Sequence, residues 1–186
     1  MSKSILVIGE SGNGKSTSLR NLPPKETVYL DADLKGLPWR GWRKDFNKES
    51  KNYFQVNNKD SIKQYMVSIS ANAPHVKYLV IDTLNSIMVA DEMARAKEKN
   101  YDKWVDLASA IYDIAQLSNT LRDDLVVICI AHAQTERDDL GNVFTRMKTS
   151  GKKLDKIVVE SFFTNVLLAK RDGEGNYIFE VKANNS

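Results

Sequence analysis

Residues Gly9-Glu10-Ser11-Gly12-Asn13-Gly14-Lys15-Ser16-Thr17 fit the pattern G-x-x-x-x-G-K-[ST], its fixed positions filled by Gly9, Gly14, Lys15 and Ser16. The spacing has a physical meaning. Glycines let the backbone curl until consecutive N–H groups face one anion-sized hollow, and a helix starting there adds the positive end of its dipole. The lysine reaches the outer phosphates of a nucleotide, and the hydroxyl after it ligates Mg²⁺. Here the pattern follows the apolar run Ile5-Leu6-Val7-Ile8 and precedes a helix-compatible segment, the context that separates a phosphate loop from a chance glycine turn. Residues 9–17 are thus candidate ligands of a nucleoside triphosphate, with Ser16 a candidate metal ligand.

Three other strand ends carry chemistry. Tyr78-Leu79-Val80-Ile81 ends on Asp82, and a carboxylate so placed holds Mg²⁺ directly or through water beside a phosphate loop. Hydrolysis also needs a group that orients water, and the residue after Asp82 is Thr83 rather than a glutamate. The run Thr27-Val28-Tyr29-Leu30 leads into Asp31-Ala32-Asp33, which supplies a carboxylate; the plainer alternative makes both aspartates turn residues. Val126-Val127-Ile128-Cys129-Ile130-Ala131 ends at His132, whose imidazole can donate a hydrogen bond to a phosphate oxygen or serve as a structural side chain.

Together these strand ends resemble the RecA-type core ATPases. In that family a strand of the form apolar-apolar-Asp-Ala-Glu ends on the catalytic carboxylate, so the resemblance puts Asp33 in that role, one methylene shorter. It makes Lys15, Asp33, Asp82 and His132 the catalytic set, with Thr83 as the small hydroxyl after the metal-binding aspartate and His132 as the γ-phosphate sensor. The polar stretch 133–153 takes the place of a DNA-binding loop, which nominates Arg146, Lys148, Lys152 and Lys153 as nucleic-acid contacts. Lys182 falls where subunit-bridging lysines come from a terminal hairpin. Within this superfamily the chain is most similar to small phage-encoded single-strand annealing recombinases of the Sak type, across nearly its whole length. That resemblance implies ATP and Mg²⁺, single-stranded DNA, a homo-oligomeric ring or filament, a single-strand-binding protein as partner, and a place in the host cytoplasm.

The elements that must position these residues are legible in the hydrophobic pattern. Strand-like runs occur at 4–8, 27–30, 53–56, 78–81, 125–131 and 165–169. Ile62, Tyr65, Met66, Ile69 and Ala73 recur at helical spacing with Asp60 as the expected N-cap, and Trp104, Leu107, Ala108, Ile111, Ile114 and Ala115 do so behind Asp102. Pro23-Pro24 ends the helix after the phosphate loop. Asp172-Gly173-Glu174-Gly175-Asn176 between two apolar runs marks a hairpin. The expected fold is α/β, a RecA-like P-loop core with a mostly parallel sheet covered on both faces and a C-terminal antiparallel hairpin, forming one domain over 1–186.

Bulk numbers bound the alternatives. The 186 residues are 42% hydrophobic and 27% charged, an ordinary globular composition. No run reaches the roughly 18 apolar residues of a membrane helix, and the N-terminus leaves no room for a signal peptide. Cys129, the one cysteine, lies in an apolar run and reads as a core thiol, so a metal is expected to arrive with the nucleotide. The net charge of +3 is modest, but residues 35–59 hold seven Lys/Arg against two Asp/Glu, and residues 146–156 five against one. In the first of these segments Trp39-Arg40-Gly41-Trp42-Arg43 suits base stacking, packing on the sheet, or a subunit contact. Two other functions compete with a DNA-binding ATPase: a nucleotide-dependent switch or assembly module without DNA, and a small-molecule kinase.

Overall fold

Runs of Ile, Val, Leu and Tyr separated by helical patterns fold here into one sheet with its helices stacked on it. The computed structural model describes residues 2–98, 102–137, 141–149 and 158–181. The strands are β1 (Lys3–Gly9), β2 (Thr27–Asp31), β3 (Tyr53–Gln55), β4 (Tyr78–Asp82), β5 (Val126–Arg137), β6 (Val143–Met147), β7 (Asn165–Arg171) and β8 (Tyr177–Glu180). Seven run in the order β3-β2-β4-β5-β1-β7-β8, and β6 pairs with β5. The pairs from β3 through β7 are parallel, while β7–β8 and β5–β6 are antiparallel. A mostly parallel sheet flanked by helices, closed by an antiparallel hairpin, is the expected P-loop NTPase architecture.

Successive strand residues face opposite sides, and the two sides are covered differently. Leu6, Ile8, Leu30, Leu79, Ile81, Val127 and Cys129 pack with residues of α2 (Lys59–Asn72), α3 (Leu84–Ala94) and α4 (Asp102–Thr120) in one buried cluster. Val7, Tyr29, Val80, Ile128 and Ile130 form the other cluster with Leu37, Phe46, Trp39 and Trp42. Among the described residues the long helices therefore cover one face. The other is covered by Leu19 and Leu22, which follow α1 (Lys15–Ser18), and by the aromatic segment after β2. Trp39 meets Phe46 edge-on at 6.1 Å between ring centroids, and Trp42 packs on Tyr53 at 4.7 Å. Packing on the sheet is the role these tryptophans take. Cys129 is fully buried, and burial pushes its thiol up to about 12, as befits a core side chain.

Four local expectations need correction. The helix after the phosphate loop is a single turn, ending at Ser18 and continued as 3-10 through Asn21. Asn58, not Asp60, caps α2: its side chain accepts from the N–H groups of Asp60 and Ser61 at 3.1 and 3.0 Å. Helix α3, which the sequence reading passed over, starts directly after the β4 aspartate with Thr83 as its N-cap. Finally, β5 does not stop at Ala131. It runs on to Arg137 and pairs with β6, so the stretch expected as a loop begins as a β-hairpin. The polar outer residues hid it, although Thr135 and Thr145 are cross-strand partners with hydroxyls 3.3 Å apart.

Candidate active site

Parallel register carries the chemistry to one edge. Gly9 lies beside His132, Asp31 beside Asp82, and Asp82 beside Ile130, so the carboxyl ends of β1, β2 and β4 meet the middle of β5 at the edge where open α/β sheets bind their ligands. The loop leaving β1 depends on its glycines. Gly12 and Gly14 take left-handed φ values of 83° and 78°. A Cβ on Gly9 would lie 2.4 Å from the Ala169 carbonyl of β7, and one on Gly14 would lie 2.9 Å from the Tyr177 ring. The terminal hairpin thus braces the loop, with Asn13 Nδ2 donating to Ala169 O at 3.2 Å and Arg171 to Gly12 O at 3.4 Å. Lys15 is 6% exposed, and its ammonium donates to the carbonyls of Gly9 and Glu10 at 2.8 Å each. Burial holds its pKa below the usual lysine range, against the pull of Asp82.

The two carboxylates sit in opposite electrostatic surroundings. Burial raises the Asp82 pKa, partly offset by the Ser16 and Tyr29 hydroxyls. Tyr29 donates to Asp82 Oδ2, while Oδ1 is buried without a hydrogen-bond partner. Asp33 is also raised by burial, but Lys35, Ser86 and Thr83 more than reverse this and leave it below the ordinary carboxylate value. Thr83 Oγ1 donates to Asp33 Oδ1 at 2.9 Å, the Ser86 hydroxyl donates to the same oxygen, and the Lys35 ammonium bonds Oδ2. Asp31, by contrast, is structural: its Oδ2 accepts from Tyr53 at 2.6 Å and from the Gly36 N–H at 2.8 Å.

His132 is half-buried, and burial together with the Lys15 charge depresses its pKa, so the imidazole is neutral at pH 7. The His132 backbone N–H donates to Asn85 Oδ1 at 2.7 Å, and its backbone carbonyl accepts from the Lys148 backbone N–H at 2.7 Å. Asn85 Nδ2 in turn donates to Lys148 O at 2.7 Å, which ties α3 to both strands of the β5–β6 hairpin. Lys15, Ser16, Lys35, Thr83, His132 and Tyr177 line one cleft of about 360 Å³. Of the nucleic-acid candidates, Lys148 is exposed on the hairpin side of this edge, and Arg146 is engaged with Glu136 at 2.8 Å. Lys152, Lys153 and Lys182 lie outside the described residues.

Sequence reading missed Tyr29, Lys35, Asn85, Ser86 and Tyr177. Only Ser86 had a signal, since a threonine cap three residues before it is the start of a helix. The others reach the site through a turn, a register or the distant hairpin.

Among the described residues no group of three or more His, Cys, Asp or Glu side chains could hold a metal ion by itself. The orphaned Oδ1 of Asp82 and the Ser16 hydroxyl against the same carboxylate are hard oxygen donors. They fit an Mg²⁺ whose remaining positions are filled by phosphate oxygens and water.

A glycine loop after the first strand, a lysine folded into it, and an aspartate at the tip of a strand two places away define a P-loop ATPase-type domain. A family model described as AAA domain matches residues 1–182, and the chain belongs to that family. No curated protein matches it. Among the described residues no helix is long and apolar enough to cross a membrane.

Proposed function

We propose that the chain is an ATP-binding and ATP-hydrolysing RecA-like protein of the Sak type, acting as one domain, that binds single-stranded DNA and promotes strand annealing. The convergence of Lys15, Ser16, Asp82, Asp33 and His132 on one sheet edge carries the nucleotide part. Lys15 exchanges the Gly9 and Glu10 carbonyls for phosphate oxygens. Ser16 and Asp82 would hold Mg²⁺, which when bound would neutralise charge on the phosphates. Asp33, its Oδ1 fixed by Thr83 and Ser86, orients the attacking water and accepts its proton. His132 donates from its neutral ring to the terminal phosphate.

The DNA part is supported by the hairpin that grows from His132. Its backbone bond to Lys148, and the Asn85 side chain between them, give nucleotide state a route to a basic ribbon. The exposed Val143 and Phe144 on β6 and the exposed Tyr177, Ile178 and Phe179 on the edge strand β8 suit contacts between copies in a ring or filament. One observation favours a switch without DNA: Arg146 already has Glu136 as its counter-ion. Hydrolysis by purified protein, and by Lys15→Ala, tests the nucleotide part; loss of turnover in a folded Lys15→Ala is expected, and unchanged turnover refutes the site. Binding of a labelled single strand separates the recombination reading from the switch.

A further inference from the structure

The turn after β2 is shaped around one side chain. Leu34 takes a φ of 59°, a conformation that strains a non-glycine residue, and Gly36 follows at 84°. The turn is held from below by Asp31, which is 2% exposed and accepts the Gly36 N–H and the Tyr53 hydroxyl. Between the two left-handed residues stands Lys35. Its ammonium bonds Asp33 Oδ2, yet its side chain is 61% exposed and lines the nucleotide cleft with Lys15, Ser16 and His132. The Asp33 side chain is only 9% exposed, so a solvent-facing ammonium is drawn onto a largely buried carboxylate at the mouth of the cleft. The turn thereby places a second ammonium, beside that of Lys15, where a phosphate would lie.

We propose that Lys35 is a phosphate-contacting catalytic lysine, supplied by the chain to its own nucleotide, that leaves Asp33 for the terminal phosphate when a triphosphate binds. This rests on the nucleotide reading above. A terminal phosphate carries more negative charge than one carboxylate, and the flexible four-carbon stem lets the ammonium follow it. The transfer does two things. It puts a positive charge where charge accumulates on the equatorial oxygens during phosphoryl transfer. It also leaves Asp33 Oδ2 open for water, because Thr83 and Ser86 occupy Oδ1. Water oxygen then bonds the terminal phosphorus, its proton passes to Asp33, and the bond to the bridging oxygen breaks with its electron pair leaving on the diphosphate. Lys35 stays protonated throughout.

The test compares wild type, Lys35→Ala and Lys35→Arg by steady-state ATP hydrolysis, and by equilibrium binding of a non-hydrolysable ATP analogue and of ADP, each with Mg²⁺. Lys35→Ala is expected to lower kcat by about 10²–10³-fold, to weaken the analogue about tenfold more than ADP, and to melt within a few degrees of wild type; Lys35→Arg is expected to restore most of both. Unchanged kcat and unchanged triphosphate preference in Lys35→Ala would overturn the assignment, and so would faster turnover, which would make Lys35 only a mask on Asp33. If the wild type binds nucleotide without hydrolysing it, the hydrolysis reading fails and the catalytic role of Lys35 with it. Its contact with the terminal phosphate is then decided by binding: loss of triphosphate preference supports that contact and retention overturns it. A wild type that binds neither nucleotide overturns both.

Discussion

Asp33 and Asp82 are both aspartates at the same edge of the sheet, and their surroundings shift them in opposite directions. Asp33 is surrounded by donors, which keep it ionised and leave its reactivity to geometry. Asp33→Asn keeps the shape and removes the charge. It is expected to bind ATP within a few fold of wild type and to lose at least about 10²-fold in turnover, measured by single-turnover hydrolysis. Asp82 is the strained partner, a charge buried with one oxygen unpaired. Its folded pKa is raised, so its contribution to stability is fully present below the unfolded value near 3.9 and is lost as pH rises through the folded one. Asp33 runs the other way: its depressed pKa supports the fold above about 3.9, and that support is lost as pH falls through the folded value. Asp82→Asn should therefore melt higher than wild type at pH 7 without nucleotide, an advantage that shrinks as pH falls through the raised folded pKa and is gone below about 3.9. The same variant should lose Mg²⁺-dependent ATP binding; a lower melting temperature at pH 7 would contradict the electrostatic account. Residues 9–17 were legible because their pattern is contiguous and lies between a strand and a helix. Lys35 was not, because its role depends on a left-handed turn that no pattern encodes.

At the scale of elements, the phosphate loop and the terminal hairpin form one unit although about 150 residues separate them. Gly9 is the joint. A methyl there meets the backbone carbonyl of Ala169, and neither strand can shift without breaking the β1–β7 pairing. Gly9→Ala is expected to cost about 1–3 kcal/mol, read as a lower urea midpoint with an unchanged m-value, and to weaken nucleotide binding in the protein that remains folded. Wild-type stability in that variant would mean that β7 yields. Parallel strands buried on both faces read clearly as apolar runs, and all six proposed strands formed. The outer half of β5 and all of β6 did not, since 132–137 mixes polar and charged residues and is held by pairing with β6 rather than by burial. The capping error on α2 has a similar origin: Asn58 and Asp60 are both good cap residues, and the chain direction entering the helix decides between them.

In the whole molecule, the cleft beside the phosphate loop and the β5–β6 hairpin meet at His132, whose backbone is clamped by Asn85 and Lys148. The basic patches, the exposed β8 edge and the aromatic segment that covers the second face lie at different places on the sheet, so charge composition alone could not rank them. The central claim is that nucleotide state governs single-strand binding through this junction. Its most direct test is the affinity of a fluorescent single-stranded oligonucleotide measured against salt concentration, with and without ATP and Mg²⁺, for wild type and for a protein with Arg146, Lys148, Lys152 and Lys153 neutralised together. Wild type is expected to bind more tightly with ATP and Mg²⁺, with log affinity falling linearly as log salt rises. The neutralised protein is expected to bind all sequences more weakly and with a shallower slope, because each lost phosphate contact removes about 0.7 from it. Absence of single-strand binding at low salt with ATP and Mg²⁺ present, or binding indifferent to both nucleotide and the four cations, would contradict the account.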